Sequence, residues 1–320
     1  MTRIDVTPDR ATQTVRRTRL EWPTLAVAAL IYAGWGSLTW FYHELPLWLS
    51  LPAAAYLVAW HGSLQHEAIH AHPTRRPWLN ESLVFPNLWL WMPYRVYRDT
   101  HLAHHRDERL TDPLDDPESY YVTARQWERL GPAGRALMRF RNTVLGRLLI
   151  GPAIAAGNLW WHEAGRLLRG NRRAWKAWGL NAVACALVLA WVIGICDIPL
   201  LSYVLVFVWP AISLTLLRSF AEHRAEEDPE DRSVVVDAAW PLALLFLNNN
   251  LHWLHHHEPG VPWYDLPARY RARREAILEA NGNYRFRGYG EILGRYLFRP
   301  KEPVLHPDYG ARPATRPPTD

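Results

Sequence analysis

Cysteine is scarce in this 320-residue sequence, which has only Cys185 and Cys196. Two cysteines cannot supply the thiolates of a cysteine-ligated iron–sulfur cluster, and they cannot form a disulfide framework. The sequence also lacks a Gly-x-Gly-x-x-Gly motif and a Gly-rich phosphate loop. Nothing in it therefore predicts binding of a nicotinamide or of ATP.

Charge is also missing from long parts of the chain. No Asp, Glu, Lys or Arg lies between Glu21 and Glu44, or between Glu44 and Glu67, and two more charge-free stretches meet at Asp197. Each stretch has about 20 residues, the length at which a helix crosses the hydrocarbon core of a bilayer. We therefore predict an all-α integral membrane protein with four transmembrane helices in two hairpins. The predicted spans are residues 24–43, 45–65, 177–196 and 198–217.

Basic residues predict the orientation of these hairpins. Both hairpin tips lack Lys and Arg, whereas arginines precede the first span and follow the fourth. Positively charged flanks stay on the cytoplasmic side. We expect both termini to be cytoplasmic, in a bacterial inner membrane, with no cleavable signal peptide. The arginines flank apolar runs and form no continuous stripe, so we expect no binding of nucleic acid.

The remaining sequence suggests three regions. Residues 1–20 are polar and predicted to be a flexible cytosolic N-terminus, residues 21–267 a membrane domain, and residues 268–320 a cytosolic Arg- and Pro-rich tail. Apolar stretches at 83–91, 150–161 and 234–251 are too short or too interrupted to span. We expect them to lie at the membrane interface, or for 83–91 to re-enter the membrane, beside a cytosolic helical cap rich in histidine.

Histidine is abundant where the chain lies between and after the hairpins. Residues three and four apart share one face of a helix, and imidazole is a common ligand of iron, zinc and copper. Seven histidines with this spacing, and His256 beside one pair, exceed the four ligands of one zinc ion and indicate two metal ions. The three clusters are His66-Glu-Ala-Ile-His70, His101-Leu-Ala-His104-His105 and His252-Trp-Leu-His255-His256-His257.

These motifs, in this order between two apolar hairpins, resemble the membrane fatty acid desaturase superfamily, which includes hydroxylases and ketolases. The resemblance covers roughly residues 24–267 and implies a non-haem di-iron centre with two Fe ions. It assigns the ligand role to residues of all three clusters. They are His66, His70, His101, His104, His105, His252, His255 and His256.

The family also uses a histidine between the second hairpin and the last cluster, and His223 occupies that place. Five further residues are candidates for holding the ligands: Glu67, Ser219, Glu222, Asn248 and His257. Ser219 stands where some desaturases have an asparagine that holds an iron-bound water. The isolated His43, His61, His72, His162 and His306 are interpreted as structural residues.

The implied reaction is O2-dependent attack on an unactivated C–H bond of a lipid acyl chain. Loss of a second hydrogen gives desaturation, the leading hypothesis. Hydroxylation or ketolation of an alkyl, fatty-acid or isoprenoid substrate on the same scaffold is the alternative. Electrons must come from an external carrier of ferredoxin or rubredoxin type and its reductase, which an arginine-rich surface could dock. That surface comprises Arg95, Arg98, Arg106, Arg109, Arg139 and Arg141.

Two other classes fit the sequence less well. A membrane zinc hydrolase needs few nitrogen ligands and an open position, and this chain offers too many nitrogens. A metal transporter would place ionisable residues near the middle of its spans, whereas here they lie at the ends.

Overall fold

The computed structural model describes residues 20–105 and 109–310, and these residues are mostly helical. Val235–Val236 (β1) pairs in parallel with Arg285–Phe286 (β2), with Val235 opposite Arg285. The prediction of an all-α fold is confirmed in that the described residues are mostly helical and have almost no strand. The predicted flexible N-terminus lies outside the described residues except for Leu20.

Four long apolar helical segments form the centre of the molecule. The third and fourth change to wider π-helical turns along their length. In the fourth, Pro210 has no N–H to donate to the preceding turn, and the helix widens just before it. The segments are α1 (Trp22–Trp40); α2 (Leu47–Ile69); α9 (Arg172–Leu189), continued by Ala190–Ile195; and α10 (Leu200–Tyr203), continued through Val204–Val208 into α11 (Trp209–Glu222).

Two of these segments have the length and hydropathy of a membrane span, Arg172–Ile195 and Leu200–Glu222. Only 22% of the apolar window of Arg172–Ile195 is buried, which differs from the core helix of a soluble protein. The four predicted spans are therefore not all confirmed. In α1 the tryptophans and glycines lower the mean hydropathy, and in α2 His61, Gln65 and His66 do the same.

The two hairpins meet at their tips and along their lengths. A hydrogen bond of 3.1 Å joins His43 Nε2 to the carbonyl oxygen of Cys196, so both turns lie at the same end. Nearer the centre, the indole of Trp35 donates to the hydroxyl of Tyr203 at 3.0 Å. The helix ends that carry the histidines lie at the opposite end of the hairpins.

Shorter helices cover that opposite end. Of these, α8 is the longest and leaves Trp161 and Leu168 84% and 88% exposed. The helices are α3 (Pro77–Leu83), α4 (Tyr94–His104), α5 (Ala124–Arg129), α6 (Pro132–Arg141), α7 (Val144–Leu149), α8 (Gly151–Leu168), α12 (Trp240–Leu245), α13 (His252–His257), α14 (Leu266–Ala280), α15 (Tyr289–Tyr296) and α16 (Pro307–Gly310).

Two of the apolar segments expected at the interface are buried in part. Leu88 and Trp89 lie in the main core, where the Trp89 ring packs against Gly62 of α2. Residues 234–236 and 245–247 are also buried. The buried parts are apolar because they belong to the core under the histidine clusters, whereas Trp240 is 75% exposed. The position of these segments relative to the membrane stays a prediction.

The residues beyond 267 pack onto the rest of the chain. Phe286, Tyr289 and Ile292 belong to the same apolar core as the hairpins, and Ile277 packs with Trp253. The domain boundary at residue 267 stays a prediction, but the packing is continuous across it. Residues 311–320 lie outside the described part.

Candidate metal centre

Five histidines from three separate elements meet in one buried cluster. His66 lies in the last turn of α2, His70 directly follows that helix, and α13 contributes His255. The second motif adds His101 and His105, one helical turn apart at the end of α4. One ring nitrogen from each of the five lies within 4.8 Å of the others. We call this set the five-histidine cluster.

Four other histidines form a second cluster beside it. His104 comes from α4, His252 and His256 come from α13, and His223 directly follows α11. All four side chains are buried, and their ligand atoms again lie within 4.8 Å of one another. This is the four-histidine cluster. The structure thus brings all nine predicted ligands together, and their coordination of metal remains a proposal.

Ring nitrogens converge inside each cluster at a spacing that suits metal binding. In the four-histidine cluster, His223 Nε2 lies 3.0 Å from His104 Nε2 and 2.9 Å from His252 Nε2. In the other, His101 Nε2 lies 3.1 Å from His70 Nε2. A metal–nitrogen bond of about 2.1 Å would place ligands at right angles about 3.0 Å apart. Neutral imidazoles aimed at one point repel without a cation between their lone pairs, so these residues fit metal ions.

The outward-facing nitrogens of several ligands are held by other side chains. His104 Nδ1 lies 2.8 Å from the buried carboxylate of Asp116, which also accepts from the backbone N–H of Thr111 at 2.9 Å. His101 Nδ1 lies 3.0 Å from Glu118. Such contacts fix the ring orientation of metal-binding histidines and leave the other nitrogen free to bind.

Asn249 connects the two clusters. Its amide oxygen lies 3.0 Å from His252 Nδ1, and its amide nitrogen lies 3.4 Å from His66 Nε2. The adjacent Asn248, which the sequence suggested for this role, donates instead to the carbonyl of Trp263 at 2.9 Å. Asn248 therefore fixes the loop after α13, and Asn249 makes the contacts with ligands.

Glu67 and Glu222, two of the remaining predicted supporting residues, are buried carboxylates. The Glu67 side chain lies 4.0 Å from His66 Nδ1 and accepts from the backbone N–H of Trp263 at 3.3 Å. Glu222 lies 3.4 Å from His252 Nδ1 and forms an ion pair of 2.8 Å with Arg218. Both carboxylates thus lie beside a predicted ligand.

Ser219 and His257 lie further from the ligand nitrogens. The Ser219 hydroxyl donates to the carbonyl of Leu216 at 3.3 Å, and its side chain lines a small polar cavity next to His104 and His223. His257 stacks on Trp253 with ring centroids 3.7 Å apart, and its Nε2 lies 2.9 Å from Glu230. His257 therefore extends from the last motif towards the surface.

The isolated histidines make contacts typical of structural residues. His72 lies 2.7 Å from Glu21, His61 lies 3.3 Å from the hydroxyl of Tyr32, and His306 lies 3.2 Å from Thr111. His43 joins the hairpin tips as described. The side chain of His162 is 71% exposed.

The electrostatic surroundings favour neutral ligands around a central cation. Burial and the neighbouring histidines hold the pKa of His105 and His255 well below the usual range. His104 differs: burial lowers its pKa, but Glu118 and Asp116 outweigh burial and raise it to about 9. Residues 112–119, which include Asp116 and Glu118 and are called the acidic loop here, therefore concentrate negative charge at the edge of the four-histidine cluster.

Two ligand-supporting residues were not singled out from the sequence. In the sequence, Asp116 is one of several acids close to the histidine motifs, and nothing assigns a role to Glu118. The sequence signal for contacts between these acids and the ligands is that the loop closely follows the second histidine motif. Which acid reaches which histidine depends on how the loop folds back over α4.

Two adjacent clusters of buried histidine nitrogens, at the ends of paired apolar helices, define a helical protein able to hold two metal ions. The chain belongs to the fatty acid desaturase family, since the sequence model of that family matches residues 43–288, more than half of its length. The family is membrane-associated and metal-dependent, and its members are lipid oxidoreductases of desaturase type. No protein with a curated description matches the chain significantly.

Proposed function

We propose that the protein is a membrane-bound, non-haem di-iron oxidoreductase that uses O2 to desaturate the acyl chain of a lipid. The observation that carries this proposal is the pair of buried five- and four-histidine clusters in a fatty acid desaturase family member. Imidazole-rich ligation without thiolates suits redox-active iron.

Each cluster would hold one iron through its inward ring nitrogens. Two irons there would supply the activation of O2 needed to remove hydrogen from an unactivated C–H bond. The chain itself holds the ligands in fixed orientations through Asp116, Glu118 and Asn249. Burial of seven of the nine ligands limits the access of water to the reacting position.

For the membrane position, we propose that α1 and α2 span the bilayer together with the two more hydrophobic segments. Contacts between the hairpins support this arrangement, because Trp191 donates to Thr39 at 2.9 Å and Trp35 donates to Tyr203. Both termini and both clusters would then lie on the cytoplasmic side of a bacterial inner membrane, where an acyl chain could enter from the bilayer.

Electrons would come from an external ferredoxin or rubredoxin and its reductase, since two cysteines cannot ligate an iron–sulfur cluster here. The arginine surface is less positive than its composition suggests. Three of its arginines pair with carboxylates, Arg141 donates to the carbonyl of Tyr120, and Arg139 lies over the ring of Trp127. The pairs are Arg95–Glu81, Arg98–Asp99 and Arg109–Asp115. Arg106 lies outside the described residues.

The test is lipid profiling of cells that express the wild-type chain, His252→Ala or His162→Ala, with metal analysis of each purified protein. We expect a new double bond and about two irons per chain for the wild type and for His162→Ala, which alters an exposed histidine. His252→Ala should yield no product.

Other results would change the assignment. A new hydroxyl or keto group would replace desaturation by hydroxylation or ketolation on the same site. Stoichiometric zinc, no iron and an unchanged lipid profile would refute the di-iron proposal.

A further inference from the structure

The last turn of α11 ends at the four-histidine cluster, and its carbonyl groups are satisfied by distant parts of the chain. A helix leaves its final carbonyls without partners in the helix. Here the carbonyl of Ala221 accepts from the hydroxyl of Tyr284 at 2.7 Å, and that of Glu222 accepts from the N–H of Val234 at 3.0 Å.

The next carbonyl belongs to His223, the ligand outside the three motifs. Its backbone is extended, with φ −131° and ψ 155°, so helical geometry no longer fixes its position. The carbonyl oxygen accepts from Lys301 Nζ at 2.5 Å and from the hydroxyl of Tyr120 at 3.0 Å. Lys301 Nζ also donates to the hydroxyl of Tyr284 at 2.9 Å, so one side-chain nitrogen links His223 to Tyr284, the partner of the Ala221 carbonyl.

Lys301 begins a segment, residues 301–306. This segment is anchored on the side of the four-histidine cluster where the acidic loop lies. The N–H of Val122 donates to the carbonyl of Val304 at 3.0 Å, and the N–H of His306 donates to the carbonyl of Val122 at 3.1 Å. The N–H of Lys301 donates to the carbonyl of Asn142 at 3.2 Å. The segment is therefore held by backbone hydrogen bonds at both ends.

The far end of this segment leads to a second ligand. His306 is hydrogen-bonded to the Thr111 hydroxyl at 3.2 Å, and the backbone N–H of Thr111 donates to Asp116. Asp116 in turn holds His104 Nδ1 at 2.8 Å. Hydrogen bonds thus connect residues 301–306 to two of the four ligands of the four-histidine cluster, His223 and His104.

We propose that residues 301–306 form a C-terminal brace that sets the metal affinity of the four-histidine cluster, with Lys301 as a positioning residue for His223. This inference rests on the proposed two-metal site. The brace lies beyond residues 43–288, the part that matches the family. It acts through the backbone of one ligand and the hydrogen-bond chain of another.

The experiment is a Co²⁺ titration of the metal-free, full-length protein in detergent, followed by its visible absorption spectrum. The variants are Lys301→Met, which removes the donor, and Lys301→Arg, which keeps one. Lys176→Met is the matched control, because it removes the other lysine of the chain, which is exposed on α9. His306→Phe tests the other end of the brace and serves if Lys301→Met does not fold.

For the wild type and Lys176→Met we expect two bound Co²⁺ ions. In Lys301→Met, the Co²⁺ affinity of the four-histidine cluster should fall by about 10- to 100-fold, the usual effect of removing an outer hydrogen bond. His306→Phe should lower it to a smaller degree. The five-histidine cluster should keep its Co²⁺ affinity and absorption spectrum. Lys301→Arg should recover most of the affinity lost in Lys301→Met.

Unchanged affinity at both sites in Lys301→Met and His306→Phe would overturn the brace, and so would an equal loss at both sites, which indicates general destabilisation. A wild-type chain that binds fewer than two ions would instead contradict the proposed two-metal site.

Discussion

The five- and four-histidine clusters differ in how their ligands are positioned. All five ligands of the first lie in or directly after helices that carry the histidine motifs, at spacings of three or four residues. The second takes three such ligands and adds His223, which follows α11 in extended conformation. The first cluster therefore depends mainly on helical periodicity, and the second depends on contacts between segments far apart in the chain.

The largest effect should come from removing one ligand of each cluster. His70→Ala leaves four nitrogens in the first cluster, whereas His223→Ala leaves three in the second. We expect both variants to lose product formation by more than about 100-fold, beyond the effect of an outer hydrogen bond. Iron content should distinguish them, with about one iron per chain in His223→Ala and a higher value in His70→Ala. Equal iron contents would contradict the comparison, and His162→Ala serves as the control.

The next largest effects are expected from Asp116→Asn and Glu118→Gln, which should distinguish metal binding in the two clusters. Asp116 is buried and holds His104 of the second cluster at 2.8 Å, whereas Glu118, with its side chain 30% exposed, holds His101 of the first at 3.0 Å and lies 3.9 Å from His104. We expect Asp116→Asn to weaken metal binding in the second cluster by about 10- to 100-fold and Glu118→Gln to weaken the first by less. Metal titration checks both, and weakening of the same site by both variants would be evidence against separate support.

These acids show how far the sequence predicts the site. The motif spacing predicts that His66 and His70, or His101 and His105, share a helix face, because that relation is local. Resemblance to the family was needed for His223. The contacts of Asp116 and Glu118 depend on how a loop folds back, which neither spacing nor hydropathy specifies.

The same distinction explains the fold. Charge-free runs predicted the four long helical segments well, since length and composition are local properties. Residues 234–236 and 245–247 are equally apolar, but they are buried in the protein core, whereas Trp240 between them is 75% exposed. Composition alone does not distinguish contact with lipid from contact with the protein core.

A smaller effect is expected for the pH dependence of stability, and it should arise from a residue of the C-terminal brace. Burial raises the pKa of Glu302 to about 8, from 4.5 in the unfolded chain. Between these values the folded protein binds more protons, so the free energy of unfolding falls as pH rises. Since the side chain is partly exposed, we expect a change of about 1–2 kcal/mol.

Glu302→Gln should remove this slope. The measurement is Tm between pH 5 and pH 8 for both proteins, with roughly 2 °C expected per kcal/mol. A slope that persists unchanged in Glu302→Gln would assign the pH response to another group.

The smallest effect concerns the hydrogen bond between Ser233 Oγ and His223 Nδ1, at 3.2 Å. Ser233→Ala removes one neutral hydrogen bond, worth about 1 kcal/mol or about fivefold in affinity. We expect that loss in Co²⁺ affinity at the four-histidine cluster alone. Ser82→Ala is the control, because the hydroxyl of Ser82 donates to the carbonyl of Trp78, which belongs to neither cluster. A loss at the five-histidine cluster would show that the two sites share this contact.

The six-residue helix α13 supplies both clusters, with His255 in one and His252 and His256 in the other. An ion bound in either cluster fixes this single turn and with it the ligands of the neighbouring ion. Thermodynamic linkage requires that any effect of one ion on the affinity for the other be reciprocal. Changes that displace α13 should therefore alter metal binding in both clusters, whereas changes confined to Lys301 or Ser233 should act on one.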